Sequence, residues 1–166
     1  MDSWTSIVLA AGKGSRMNSS LPKVLHKVAG LPLVLHAVCA VSSVHPKTPI
    51  VISSPDHAAQ LSEILGPEYK CIDQPDPLGT GHALTIGLLA VEHDIHHVLV
   101  INADVPLVKP ETVQELALLH ESTGAKITFL IHASQNKPTQ QVGVVARDSN
   151  EKIVKIRDQK RIKLRK

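Results

Sequence analysis

Residues 9 to 23, LAAGKGSRMNSSLPK, set two glycines and three cations directly after a short apolar run. Gly12 and Gly14 carry no Cβ, so the backbone there can turn sharply and bring its N–H groups up to an anion, while Lys13, Arg16 and Lys23 place positive charge around it. The chemistry open to such a segment is phosphate binding. An ordinary strand-to-helix turn is the alternative, but it gives no reason for the glycine pair to be followed by Arg and then Pro-Lys.

Two better-known glycine motifs do not fit. A P-loop would need glycine at Ile7 and Ser or Thr straight after Lys13, where Gly14 stands. The dinucleotide fingerprint matches at Gly12 and Gly14 but meets Met17 where its third glycine allows close helix packing, which argues against a nicotinamide enzyme.

Two further segments could do chemistry. Asp104 follows an apolar run and precedes Val-Pro-Leu, so its carboxylate should project from a sheet rim toward the glycine loop. One Asp facing a phosphate chain is a sufficient protein anchor for Mg²⁺, and a cap after the strand is the other reading. In Gln74-Pro75-Asp76-Pro77-Leu78-Gly79-Thr80-Gly81-His82-Ala83, prolines stiffen the loop and glycines permit close approach. Gln74 adds an amide that can donate and accept, as reading a nucleobase edge requires; a plain loop and helix cap is the alternative.

The elements that must position these segments alternate between short β-rich runs and helical patterns, the signature of repeated βα units. Strands are expected at 6–11, 49–53, 69–73, 97–101 (apolar on both faces) and 126–131, with a hairpin joining 142–146 to 152–156. Helices are expected from Pro32 to about Ser43, over 56–65, over 80–91 and from Pro110 through His120. The fold class is therefore α/β: a doubly wound, mainly parallel Rossmann-like sheet with a C-terminal antiparallel hairpin. In such sheets ligands lie beyond the carboxyl ends of the strands, and the glycine loop, Gln74 and Asn102-Ala103-Asp104 all fall on that rim.

With 166 residues and 43% hydrophobic content, one domain with a substantial core is expected. Aromatics make up only 2%, so the core must be aliphatic, as suits buried parallel strands. The net charge of +3 arises from five basic residues among the last seven; without them acidic residues outnumber basic ones, and no basic face interleaved with aromatics is left for nucleic acid. Cys39 and Cys71 sit in apolar runs without metal-ligand spacing, and the N-terminus lacks a basic region and an apolar run long enough for a leader or a span. A cytoplasmic, membrane-free protein is the expectation. His93, His96 and His97 read as a solvated loop, His82 as part of the glycine loop that it could orient, and His26 and His36 as surface.

Taken in order, LAAGKGSRM, LPKVLHKVAGLP, QPDPLGTGHA and NADVPL resemble the uridyltransferase domain of the bifunctional N-acetylglucosamine-1-phosphate uridyltransferase/glucosamine-1-phosphate acetyltransferase family, over about residues 6 to 160. The first string is shared by many sugar nucleotidyltransferases; PKVLH followed by LGTGHA is closer to this family. The resemblance implies a nucleotide-diphospho-sugar transferase fold. It also implies attack by a sugar-1-phosphate oxygen on the α-phosphorus of UTP, with Mg²⁺ as cofactor and N-acetylglucosamine-1-phosphate as acceptor. By the same resemblance, the backbone of Leu9, Ala10, Ala11 and Gly12 lies around the nucleotide, with Arg16 and Lys23 on its phosphates. Gln74, Gly79 and Thr80 match the base-reading loop, Asp104 matches the metal ligand, Asn102 and Ala103 stand beside it on the acceptor side, and Gly143 and Asp158 fall at the sugar site.

The departures are specific. Ala103 replaces the family's glycine before the metal Asp, placing a methyl at a tight backbone approach; Gln141-Val142-Gly143-Val144 replaces GYGR; and Asp158 stands where the family has Glu. The family continues past the position of Lys166 through further sugar and metal ligands into an acetyltransferase half. The expectation is thus a nucleotidyltransferase domain over 1–159, incomplete at its C-terminus, and a basic tail over 160–166. A partner chain or downstream domain would then complete the site. The alternatives are a truncated nucleotide-binding module without catalysis and a transferase using another nucleotide or acceptor.

Overall fold

The computed structural model describes residues 3–12, 14, 17–45, 47–131, 143–150 and 152–158. In chain order the elements are β1 (Trp4–Leu9), a single 3₁₀ turn (Lys23–Leu25), β2 (Lys27–Val28), β3 (Leu31–Pro32), α1 (Leu33–Ser42) and β4 (Ile50–Ser53). A second 3₁₀ turn (Pro55–His57), α2 (Ala58–Leu65), β5 (Lys70–Asp73), α3 (Thr80–Leu88), β6 (His97–Asn102) and α4 (Pro110–Thr123) follow, and then β7 (Gly143–Arg147) and β8 (Ile153–Asp158). They divide into two units, 1–129 and 130–166.

In the first unit β5, β4, β1 and β6 pair in that order, every pair parallel. The chain winds outward from β1 through β4 to β5 and then crosses to the other side of β1 for β6. This reversal creates a switch point at the carboxyl ends of β1 and its neighbours.

Alternation along the strands divides the core between the two faces. Val8, Ala10 and Val51 pack with Val34, Val38 and Val41 of α1, Leu61 and Leu65 of α2, and Val113 and Ala117 of α4. Ile7, Ile50 and Ile52 point the other way and pack with Ala83, Leu84 and Ile86 of α3. Helices thus cover both faces, as the expected doubly wound sheet requires. Trp4 anchors the start of β1: its Nε1 donates to Oε1 of Glu121 at 2.7 Å, and its ring stacks on His97 at 4.7 Å.

Some details differ from the expectations. The β-forming run 126–131 pairs with no strand among the described residues, and Ile127, Leu130 and Ile131 are exposed; β-propensity becomes a strand only where a ladder partner exists. Strand β6 is apolar on both faces as expected, with Leu99 and Ile101 buried in one core cluster and Val98 packed against the other; only Val100 of these is exposed. Pro32 pairs with Lys27 instead of opening α1, which starts at Leu33. Helix α3 ends at Leu88, short of Val91.

The second unit contains β7 and β8, an antiparallel pair joined through a turn in which the Asp148 carboxylate accepts from the N–H groups of Asn150 and Lys152, both at 2.9 Å. Among the described residues no helix is long and apolar enough to cross a membrane.

Candidate functional site

A cleft of about 580 Å³ opens at the carboxyl ends of the parallel strands. Leu9, Ala11, Gly12 and Gly14 line it from the end of β1 and its loop, Gln74, Gly79 and Thr80 from the far loop, and Asn102 and Asp104 from the end of β6. Lys23, Met17 and Val24 close its near side. Segments separated by up to 95 positions of sequence, from Leu9 to Asp104, therefore share one hollow of a size that suits a nucleotide.

Lys23 is held by its neighbours. Val24 and Leu25, next to it on the 3₁₀ turn, are buried in the main core, so that turn cannot rotate without exposing them. Gly14 sets the other side: at φ +60°, a Cβ there would lie 2.5 Å from Cβ of Lys23. The loop glycine thus leaves room for the lysine stem as well as for an anion. So placed, the Lys23 ammonium donates to Oδ2 of Asp104 at 2.5 Å, with both side chains about one-third exposed.

Asp104 owes its position to Ala103. The Ala103 methyl is buried in the core at 1% exposure, and its N–H donates to the Leu9 carbonyl at 3.0 Å, so the chain leaves β6 with Asp104 on the rim. The methyl expected at a tight approach to ligand faces the core instead. Ala10 is likewise buried: its N–H donates to the Ile52 carbonyl at 2.8 Å, and its own carbonyl meets Nε2 of His57 at 3.2 Å. Ala11 and Gly12 make no hydrogen bond among the described residues, so their backbone groups are the ones that can turn to a ligand.

On the far side Gln74 follows β5 and is buried at 6% exposure. Its Nε2 donates to the Gly79 carbonyl at 3.2 Å and lies 3.0 Å from Nδ1 of His82. Gly79 precedes α3 with φ +105° and ψ 178°, a conformation essentially reserved to glycine, and Thr80 opens the helix.

Gly143 and Asp158 belong to the second unit, where they stand opposite each other in the β7–β8 register. Arg16 and Lys13 lie outside the described residues. Sequence reasoning missed His57, whose bond to Ala10 holds the end of β1; it lies in a helical pattern, and its burial is visible only in the fold. His26 and His36, expected at the surface, make exposed contacts there: their ring nitrogens meet the carbonyls of Leu21 and Val28 and tie down the segment that carries Lys23.

A parallel sheet wound to both sides of its first strand, with a glycine loop, a lysine and a carboxylate gathered at the switch point, defines a nucleotide-handling α/β domain. The chain belongs to the MobA-like NTP transferase domain family, whose model matches residues 6–164, and is thus of the nucleotidyltransferase class. It is 36% identical over 155 residues to the bifunctional protein GlmU of Alcanivorax borkumensis, covering 93% of this chain and 33% of that protein. The chain thus spans about a third of the length of this curated relative. A crystal structure of a putative glucose-1-phosphate thymidylyltransferase from Bacillus anthracis in complex with a sucrose shares the fold, with TM-score 0.70, 19% identity, and 94% of this chain and 64% of that chain covered. Rv0371c of Mycobacterium tuberculosis, crystallised with manganese, also shares it, with TM-score 0.60, 16% identity, and 72% and 60% covered.

Proposed function

We propose that this chain carries out uridylyl transfer from UTP to a sugar-1-phosphate, of which N-acetylglucosamine-1-phosphate is the first choice. The observation that carries the reading is the cleft itself, with the Lys23–Asp104 pair at one end and the Gln74 amide at the other. A base in the Gln74 loop would lay its phosphates toward Lys23.

In this reading a phosphate oxygen of the acceptor attacks the α-phosphorus of UTP. The new P–O bond forms as the bond from that phosphorus to the β-phosphate bridging oxygen breaks, and pyrophosphate leaves with the electron pair. Such a transfer needs no protein nucleophile; alignment and charge neutralisation do most of the work. Lys23, with Arg16 by resemblance, would neutralise the phosphates, while Ala11 and Gly12 would offer backbone N–H groups. By resemblance alone, Asn102 is assigned to the acceptor side and Gly143 and Asp158 to the sugar.

Magnesium is the cofactor assigned. Asp104 lines the cleft and already attracts a cationic partner. A lone carboxylate that shares its cation with phosphate oxygens and water is the arrangement Mg²⁺ favours. Bound there, it would neutralise charge on the triphosphate.

Calorimetry with UTP, CTP and GTP in magnesium tests the nucleotide, and a coupled pyrophosphate assay with N-acetylglucosamine-1-phosphate tests the acceptor. The expected results are a preference for UTP and pyrophosphate release that depends on the sugar phosphate. Equal affinity for the three nucleotides would sink the uridyl assignment, and selective UTP binding without release would reduce the chain to a nucleotide-binding module.

A further inference from the structure

The amide of Gln74 is held at its nitrogen from two directions, by the Gly79 carbonyl and by Nδ1 of His82, on the first turn of α3. A carbonyl oxygen can only accept, so the nitrogen of Gln74 must face Gly79; with the amide reversed, oxygen would meet oxygen. The same argument reaches the imidazole. With the Gln74 nitrogen donating toward it, Nδ1 must carry the lone pair, and the ring proton must sit on Nε2 of His82. The other end of the amide, Oε1, has no protein partner among the described residues, and Gln74 lines the cleft.

We infer that His82 is a positioning residue that sets base selectivity, holding Gln74 with its oxygen presented to the cleft so that the site accepts a pyrimidine whose ring nitrogen N3 carries a proton. The inference rests on the reading of Gln74 as the base-reading side chain and deepens it. Uracil carries N–H at N3, whereas cytosine carries a lone pair there, so a fixed carbonyl oxygen bonds the first and repels the second. An amide free to turn over could serve both, and Gln74 alone would then discriminate poorly. Gly79 supplies the second half of the clamp through its backbone. Its carbonyl accepts from the N–H of Ala83 and from Gln74, both at 3.2 Å, and apart from its chain neighbours no heavy atom of the described residues lies within 4 Å of where its Cβ would stand. Backbone conformation, not lack of space, therefore calls for glycine there.

The clamp is tested first in the nucleotide-free protein, by long-range ¹H–¹⁵N correlation of the histidine rings at pH 8, with His82 assigned by the signal missing from His82→Asn. The expected result is the Nε2–H tautomer; an Nδ1–H tautomer overturns the inference. The second test compares UTP and CTP affinities by calorimetry in the wild type, His82→Leu and His82→Asn, since Asn Oδ1 can accept where Nδ1 did. The UTP-to-CTP ratio should fall about tenfold in His82→Leu and recover to within about threefold in His82→Asn. An unchanged ratio in His82→Leu, or no recovery in a folded His82→Asn, overturns it. A wild type that shows no preference between the two overturns the uracil reading instead, and the tautomer then decides the clamp by itself.

Discussion

The ammonium of Lys23 lies 2.5 Å from Oδ2 of Asp104, so a cation suited to phosphate and a carboxylate suited to a metal neutralise each other across the cleft. Both side chains are about one-third exposed, and an exposed pair of this kind contributes roughly 0–1 kcal/mol to stability. Its interest is therefore functional: a bound metal and nucleotide would have to separate the two residues.

Lys23→Ala should accordingly act in opposite directions on the two ligands. Affinity for UTP with magnesium should fall by about 1.5–3 kcal/mol, the worth of a charge-assisted contact. Affinity for Mn²⁺ in the nucleotide-free protein should rise several-fold, because no ammonium competes for Asp104. Calorimetry and a paramagnetic Mn²⁺ titration read the two effects; a loss of both would mean that Lys23 supports the shape of the site and not its charge.

Gly14→Ala puts a methyl 2.5 Å from Cβ of Lys23, at φ +60°. The left-handed backbone alone costs an alanine about 1–2 kcal/mol, and the clash should move the lysine off Asp104. UTP affinity should fall as far as in Lys23→Ala, and combining the two substitutions should add little. Additive losses would show that Gly14 acts on nucleotide independently of Lys23.

Gly87→Ala tests how closely α3 lies on the sheet. A Cβ there would meet Cγ2 of Ile7 at 2.9 Å and Cδ1 of Ile52 at 3.3 Å, and both isoleucines are fully buried. Overpacking of about 1–3 kcal/mol should exceed the helix-propensity gain of roughly 1 kcal/mol. Urea unfolding followed by the fluorescence of Trp4, the single tryptophan, should therefore show a lower midpoint. A higher midpoint would mean that α3 shifts to accept the methyl.

His45 is buried, with Nε2 2.7 Å from Oγ of Ser6, and its Nδ1 has no partner among the described residues. Burial, with a smaller contribution from nearby Lys47, pushes its pKa below 6.5. The unfolded chain then takes up this proton near pH 6.5, while the folded chain does so only at lower pH. The stability due to neutral His45 is complete above 6.5 and is lost as pH falls from there toward the folded-state value. Urea midpoints at about pH 7.5 and about pH 5.5 should differ more in the wild type than in His45→Gln. Parallel pH profiles would show that other groups carry the dependence.

Much of the architecture was legible because it is written locally. Short aliphatic runs alternating with helical spacing marked β1, β4, β5 and β6 and the helices between them. Ordered in parallel, these elements place the glycine loop, Gln74 and Asp104 on one rim. The run 126–131 reads as a strand because its residues favour extended backbone, but they cannot by themselves provide a partner. The β2–β3 hairpin was missed because its turn places Ala29 at φ +50° ahead of Gly30, and alanine does not announce such a turn.

The sequence by itself determined which residues could do chemistry here: glycines that free the backbone, a lysine, an aspartate at a strand end and an amide beside a glycine-rich helix start. Those properties belong to single residues and near neighbours. The tertiary structure alone decided how they are used. Lys23 and Asp104 meet across 81 positions, Ser6 and His45 across 39, and Ala10 and Ala103 turn their side chains to the core while their neighbours face the cleft. Such contacts depend on strand order and on which face each residue joins. These are set by the packing of the whole sheet against its helices, and no local stretch of sequence encodes them.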